Sequence, residues 1–81
     1  MSDKNQVFEI VKQRVIETLG SDDEQVTMEA KLREDLGADL LDNVELIMDI
    51  ENEFSITVPD EKAEAVETVG DIVDLVISLS S

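Results

Sequence analysis

The sequence predicts an all-α fold, an antiparallel four-helix bundle with a long first loop and a short third helix. Apolar residues recur at three- and four-residue spacings over three long segments, as expected for helices packed on one side. Residues typical of helix starts, namely Asp, Thr or Pro, stand at the beginning of each helical segment. The 81 residues, 42% of them hydrophobic, predict a single domain over 1–81 with one core.

The first helix is predicted from about Asp3 to Leu19. Its apolar stripe consists of Val7, Val11, Val15 and Leu19, with Phe8 beside them. Asp3 followed three residues later by Gln6 is a capping-box pattern, in which each residue bonds the backbone of the other. Gly20 is expected to end the helix because glycine adopts the left-handed conformation without strain.

A long connection over residues 21–39 follows, and we expect it to be held to the core by its apolar residues. A short helical turn is predicted within it, near Lys31 to Asp35.

The second helix is predicted from about Leu40 to Glu53, with Asp39 as its N-cap and Asp42 at its third position. Both carboxylates lie where unpaired N–H groups and the helix dipole favour negative charge. The expected apolar face is wide and contains Leu41, Val44, Ile47 or Met48, and Ile50 or Leu46, and Phe54 closes it. The opposite face of this helix has a line of mostly acidic residues, which we call the acidic line: Asp42, Glu45, Asp49 and Asn52.

The third helix is predicted to be short and to begin at Pro59, since proline suits the first helical turn. The fourth is predicted to follow Thr68, which forms a second capping-box pattern with Asp71. Its inward residues are expected to be Val69, Ile72, Val73 and Val76.

Composition excludes several kinds of active site. The chain contains neither cysteine nor histidine, so disulfides, thiolate or histidine metal ligands, and Cys-His or Ser-His nucleophilic machinery are ruled out. A calcium-binding EF-hand loop needs oxygen ligands at alternate positions. The segment over residues 35–39 does not have this pattern. We therefore expect no enzymatic activity and no specific metal site.

The net charge of −15 is concentrated in the middle of the chain. Residues 34–67 contain twelve acids and a single base, Lys62. This charge disfavours nucleic acid and anionic membranes as partners and favours basic protein patches. The alternative for the acidic line on the second helix is a plain solvated face, although such faces normally mix charges of both signs.

The sequence resembles the acyl carrier proteins of dissociated (type II) fatty-acid synthesis over nearly its whole length. The matching segments are 26–27, 35–39, 41–42, 44–46, 53–54, 58–61 and 68–71. In that family the motif Gly-Ala-Asp-Ser-Leu-Asp contains a serine that carries 4′-phosphopantetheine. This chain reads Gly-Ala-Asp-Leu-Leu-Asp over 37–42, so Leu40 stands at the attachment position and no cofactor can be attached there.

The resemblance also implies two sets of site residues. Acids expected to bind partners are Asp39, Asp42, Glu45, Glu51, Asp60 and Glu64, to which the acidic line adds Asp49. Residues expected to line a pocket for an acyl chain are Val44, Leu46, Ile50, Phe54, Val58, Ala63 and Val66, for which ordinary core packing is the alternative.

By this resemblance, the chain corresponds to a non-enzymatic shuttle that holds acyl intermediates as thioesters on phosphopantetheine. Because it cannot be modified at position 40, we interpret it as a form locked without its prosthetic group. The alternative is a natural, non-carrying paralogue that acts as an acidic protein-interaction or regulatory module, and an unrelated acidic bundle is a third reading.

The expected partners are fatty-acid synthase enzymes and phosphopantetheinyl transferase, bound through their basic patches. We expect a monomer that does not insert into membranes. No signal or transit segment is evident in the sequence, so a cytoplasmic protein is expected. The alternative is a mature organellar protein whose transit peptide has been removed, since its sequence would show the same features.

Overall fold

The computed structural model describes residues 3–80, which fold into four α-helices. These are α1 (Lys4–Leu19), α2 (Leu40–Phe54), α3 (Asp60–Ala65) and α4 (Val69–Ser80). A 3₁₀ turn (Asp23–Gln25) lies in the long first loop. The described residues contain no strand, only an isolated antiparallel bridge between Lys31 and Thr68. The predicted all-α four-helix bundle is confirmed.

Helix α1 packs against both α2 and α4 and buries Val7, Val11 and Val15, as predicted. Gly20 follows the helix at φ +69°, and its N–H bonds the carbonyl of Ile16. The start of the helix differs from the prediction. Asp3 accepts a hydrogen bond from the N–H of Asn5 at 3.0 Å, one residue before Gln6, so the expected capping box with Gln6 is not formed.

The first loop is pinned to the core, as expected from its length. Its buried apolar residues are Val26, Ala30, Leu32 and Ala38. The N–H of Leu32 bonds the carbonyl of Glu67 at 2.9 Å, which ties the loop to the segment before α4. The helical turn predicted near Lys31 to Asp35 is present as a turn over residues 32–36, closed by Asp35 N–H on the Lys31 carbonyl at 2.9 Å. Nothing in the sequence analysis anticipated the 3₁₀ turn.

Gly70 allows the start of α4 to approach this loop closely. Its N–H bonds the carbonyl of Met28 at 2.9 Å. A Cβ at position 70 would lie only 2.8 Å from that carbonyl oxygen, so a side chain there would push the two backbones apart. Close backbone approach is therefore the physical reason for glycine at this position.

Helix α2 begins as predicted, with Asp39 as its N-cap. Its buried residues are Leu46 and Ile50, four positions apart and therefore on one side of the helix. The wide apolar face predicted for α2 is only partly buried, since Leu41 and Val44, which belong to it, have exposed fractions of 69% and 49%. A narrower part of the apolar face of α2 is buried than the sequence suggested, because only α1 packs extensively against α2.

Helices α3 and α4 follow the prediction closely. Pro59 immediately precedes α3. At the start of α4, Asp71 N–H bonds the Thr68 hydroxyl and Thr68 N–H bonds the Asp71 carboxylate, both at 3.1 Å, which is the predicted capping box. All four residues predicted to point inward from α4 are buried: Val69, Ile72, Val73 and Val76.

Candidate functional site: the start of α2 and the adjacent cleft

A cleft of about 590 Å³ lies between α2, α3 and the loop at residues 31–34. This volume falls within the range of sites that hold small molecules, roughly 300–1,000 Å³. Its apolar walls come from Leu32, Leu40, Val44, Ile47, Met48, Val58, Ala63 and Val66, and its polar lining from Lys31, Arg33, Glu34, Asn43, Glu51, Asp60, Glu64 and Glu67. The space therefore combines apolar walls with charged and polar side chains.

Leu40 is the first residue of α2 and lines this cleft. Its exposed fraction is 70%, so the side chain is open to solvent, as expected for a helix-initial residue beside a loop. The helix start is rigidly defined, because Asp42 N–H bonds the Asp39 carboxylate at 2.8 Å and Asp39 N–H bonds the Asp42 carboxylate at 3.2 Å. The fold thus presents position 40 at a fixed, accessible point, and the side chain there is a hydrocarbon.

The residues expected to line the acyl pocket divide into two groups. Val44, Val58, Ala63 and Val66 line the cleft. Leu46 and Ile50 are 0% and 1% exposed and belong to the core cluster, against which the half-buried Phe54 packs. The division follows from helix phase, since Leu46 and Ile50 face the bundle whereas Val44 faces the cleft.

Several cleft residues were missed by the sequence analysis as members of a site. They are Lys31, Leu32, Arg33, Glu34, Asn43, Ile47, Met48 and Glu67. The members on α2 could have been found from the sequence by their spacing. Positions 43, 44, 47 and 48 lie three, four, seven and eight residues after Leu40, so they share its side of the helix. Leu32 comes from the first loop, whose path no periodicity could reveal.

The acids expected to bind partners are used in different ways. Asp39 and Asp42 cap α2, and Asp49 accepts a hydrogen bond from the Thr18 hydroxyl at 3.2 Å. Glu51 accepts a hydrogen bond from the Val58 N–H at 2.7 Å. Four of the seven acids therefore already stabilise the fold.

The remaining three acids, Glu45, Asp60 and Glu64, are exposed. Within residues 3–80, none of them forms an ion pair. Asp60 and Glu64 border the cleft, whereas Glu45 does not line it. These three carboxylates are available to a partner without a change in the fold.

Exposed apolar residues on α2 form what we call the apolar patch, consisting of Leu40, Leu41, Val44 and Met48. Their exposed fractions run from 49% to 70%, far above the values near zero found in the core. Glu45 and Asp49 occur on the same helix among these positions. An apolar surface with neighbouring carboxylates is typical of a protein-binding face.

The chain is similar to known proteins over most of its length. The family model described as "Phosphopantetheine attachment site" matches residues 9–76. The acyl carrier protein of Thermotoga maritima is 50% identical over 76 residues, which cover 94% of each chain. This chain belongs to the acyl carrier protein family.

Solved structures agree with this assignment to the acyl carrier proteins. The acyl carrier protein of Enterococcus faecalis superposes with a TM-score of 0.81 at 32% identity, covering 98% of this chain and all of that one. A Mycobacterium tuberculosis protein described as a candidate acyl carrier protein gives a TM-score of 0.84 at 30% identity, covering 89% of this chain and 96% of that one. Acyl carrier proteins are non-enzymatic carriers that interact with the enzymes of fatty-acid synthesis.

The acyl carrier protein family bears 4′-phosphopantetheine. The residues at the start of α2 do not fit covalent attachment of this group. Leu40 offers only carbon atoms, and no serine or threonine occurs between Thr27 and Ser55. The cleft beside Leu40 is formed, but the nucleophilic hydroxyl required for a phosphodiester bond is missing from its edge.

Two further features of the described residues bear on the site. No three acidic residues within 3–80 are grouped closely enough to hold a metal ion. None of the helices in this range combines the length and the apolar character needed to cross a bilayer.

Proposed function

We propose that this chain is an acyl carrier protein of type II fatty-acid synthesis in a form locked without its prosthetic group. It is recognised by the partners of a carrier but has no thiol on which to hold an acyl chain. The observation that carries this proposal is Leu40, a solvent-exposed hydrocarbon at the first position of a helix whose capping residues are intact.

The docking half of the proposal rests on charge and exposure. Glu45, Asp60 and Glu64 are exposed, and the apolar patch lies on the same helix as Glu45. Fatty-acid synthase enzymes and phosphopantetheinyl transferase would bind this surface through Lys and Arg patches. Such contacts favour rapid association and easy release, which suits a protein that visits several enzymes in turn.

Failure of modification can be tested directly with three proteins. The chain itself, Leu40→Ser and Leu41→Ser are incubated with coenzyme A and a phosphopantetheinyl transferase, and their intact masses are measured. We expect Leu40→Ser to gain one phosphopantetheinyl group and the other two to gain none. Leu41→Ser is the matched control, because it places a hydroxyl at 69% exposure one residue further along the same turn.

The same experiment separates the two readings of the substitution. A mass gain by the unsubstituted chain would refute the proposal. If Leu40→Ser is folded but is not modified, the surroundings of position 40 no longer fit the transferase. That result would favour the alternative, a natural non-carrying paralogue that serves as an acidic interaction or regulatory module, for which the apolar patch is the supporting observation.

A further inference from the structure

The start of α2 displays a residue that cannot react on a helix that is otherwise intact. Asp39 and Asp42 cap the helix through reciprocal hydrogen bonds of 2.8 and 3.2 Å, and neither bond involves the side chain of residue 40. Leu40 is 70% exposed and is not part of the core cluster. The leucine therefore removes the reactive atom without disturbing the helix that presents it.

The charged part of the same surface is free to bind a partner. Glu45 on α2 and Asp60 at the start of α3 are exposed, and neither forms an ion pair within residues 3–80. Residues 35–61 contain no lysine or arginine that could neutralise them locally. The complementary partner is therefore a protein with a basic surface.

Two kinds of enzyme meet an acyl carrier protein in two different states. A phosphopantetheinyl transferase binds the unmodified protein, whereas the enzymes of fatty-acid synthesis act on a thioester at the end of the arm. Binding energy from the arm and its acyl chain is available only to the second kind. Because this chain has no arm, its surface matches what the transferase binds and supplies only part of what the synthesis enzymes bind.

The complex with the transferase cannot proceed to product. In the transfer, an oxygen of residue 40 attacks a phosphorus atom of coenzyme A, a new P–O bond forms, and the adenosine bisphosphate part leaves with the electrons of the bond that breaks. The hydroxyl proton passes to a base. Leu40 has no oxygen to form the new bond, so the complex is released only by dissociation of the unchanged protein.

We propose that this chain is a dead-end inhibitor of phosphopantetheinyl transferase. It occupies the site for the carrier, competes there with carriers that can be modified, and has a much smaller effect on enzymes that act on a loaded arm. This inference rests on the proposed function, from which it takes the docking partner. It deepens that function by assigning the chain control over the modification of other carriers.

The test uses Leu40→Ser as the substrate, because it differs from the chain at position 40 alone. Its modification by transferase and coenzyme A is followed by intact mass, which distinguishes the two proteins. We expect the unsubstituted chain to raise the apparent KM for Leu40→Ser and to leave kcat unchanged. The inhibition constant should lie within about tenfold of that KM, since one exposed side chain separates the two proteins. Saturating coenzyme A should not relieve the inhibition.

Two variants of the chain, both with Leu40 retained, serve as matched inhibitors. Glu45→Lys should inhibit about three- to tenfold less strongly, because it reverses a free charge on the docking helix. Glu9→Lys makes the same change of charge at an exposed position of α1 away from the cleft and should inhibit as strongly as the unsubstituted chain. Equal inhibition by the two variants would show that net charge alone is responsible and would overturn the proposal.

Selectivity is measured with a reductase of fatty-acid synthesis that is supplied with acyl-loaded Leu40→Ser. The unsubstituted chain should inhibit this enzyme at least about tenfold less strongly than the transferase, because it lacks the arm that the enzyme also binds. Equal inhibition of the two enzymes would overturn the assignment to the transferase.

Absence of transferase inhibition at about ten times the KM for Leu40→Ser would overturn the proposal, and so would relief of the inhibition by coenzyme A. If Leu40→Ser is folded but is not modified, the acyl carrier protein of Thermotoga maritima replaces it as the substrate in both assays, and the same outcomes decide. A mass gain by the unsubstituted chain is the result that refutes the proposed function. An unmodified chain that does not inhibit refutes this inference alone.

Discussion

The carboxylate of Glu51, in the last turn of α2, accepts a hydrogen bond from the backbone N–H of Val58 at 2.7 Å. Val58 is buried, and it immediately precedes Pro59 and α3. The bond therefore fixes the connection between α2 and α3, the two helices on either side of the cleft. An acid that sequence similarity assigns to partner binding also holds the cleft in shape.

Replacing Glu51 by alanine should destabilise the fold by about 1–3 kcal/mol, because it leaves a partly buried N–H without its charged acceptor. Glu53→Ala is the control, since Glu53 is an exposed glutamate of the same helix, and it should change the stability by less than about 0.5 kcal/mol. Urea denaturation of both variants measures the difference. Equal midpoints would mean that the bond contributes nothing to the free energy of unfolding.

Replacing Glu45 by lysine should weaken the association with a fatty-acid synthesis enzyme, by roughly three- to tenfold in rate at low salt. Glu45 is exposed and forms no ion pair within the described residues, so its loss should act through docking and not through the fold. Asp49→Lys should act in the same direction, although it also removes the hydrogen bond from Thr18.

Glu9→Lys provides the control for Glu45→Lys. It makes the same change of charge at an exposed position of α1, away from the cleft. Stopped-flow association kinetics should show a much smaller effect for Glu9→Lys. If the two variants associate at the same rate, net charge alone matters and the acids of α2 are merely a solvated face.

Replacing Leu40 by alanine should leave the stability nearly unchanged, because its side chain is 70% exposed. The affinity for a partner enzyme should fall, by up to about 1–2 kcal/mol if the leucine becomes buried in the complex. Ile10→Ala is a control on α1, where the side chain is 37% exposed. Calorimetric titration of the three proteins tests the effect, and equal affinities would show that Leu40 does not touch the partner.

Salt and divalent cations should stabilise the chain against urea. Residues 34–67 have twelve acids and one base, so screening relieves repulsion within the folded state. The Debye length falls from about 30 Å at 0.01 M to about 3 Å at 1 M. The urea midpoint should therefore rise between these salt concentrations, and a constant or falling midpoint would contradict the idea that the middle of the chain repels itself.

Helix boundaries were predictable wherever the sequence contained local chemistry that favours one backbone geometry. Asp39 with Asp42 and Thr68 with Asp71 formed the expected reciprocal caps. Gly20 ended α1 as expected, at positive φ. Asp3 was the exception, because its carboxylate accepts a hydrogen bond from the nearer N–H of Asn5. The sequence pattern does not discriminate between adjacent backbone donors.

The lining of the cleft was less predictable, because it depends on which side of α2 faces which neighbour. Leu46 and Val44 are both apolar and only two residues apart, yet one is buried in the core and the other is about half exposed. Periodicity identifies the apolar stripes of a helix but does not say which of them packs into the core and which lines the cleft.

By itself, the sequence determined the number and order of the helices, the acidic middle of the chain and the absence of a hydroxyl at position 40. These properties depend on residue identity and local spacing. Only the tertiary structure decided that Glu51 bonds Val58, that Gly70 lies against Met28 and that the side-chain oxygen of Asn43 is buried. Each of these involves two segments whose distance is set by packing, and packing depends on the whole chain at once.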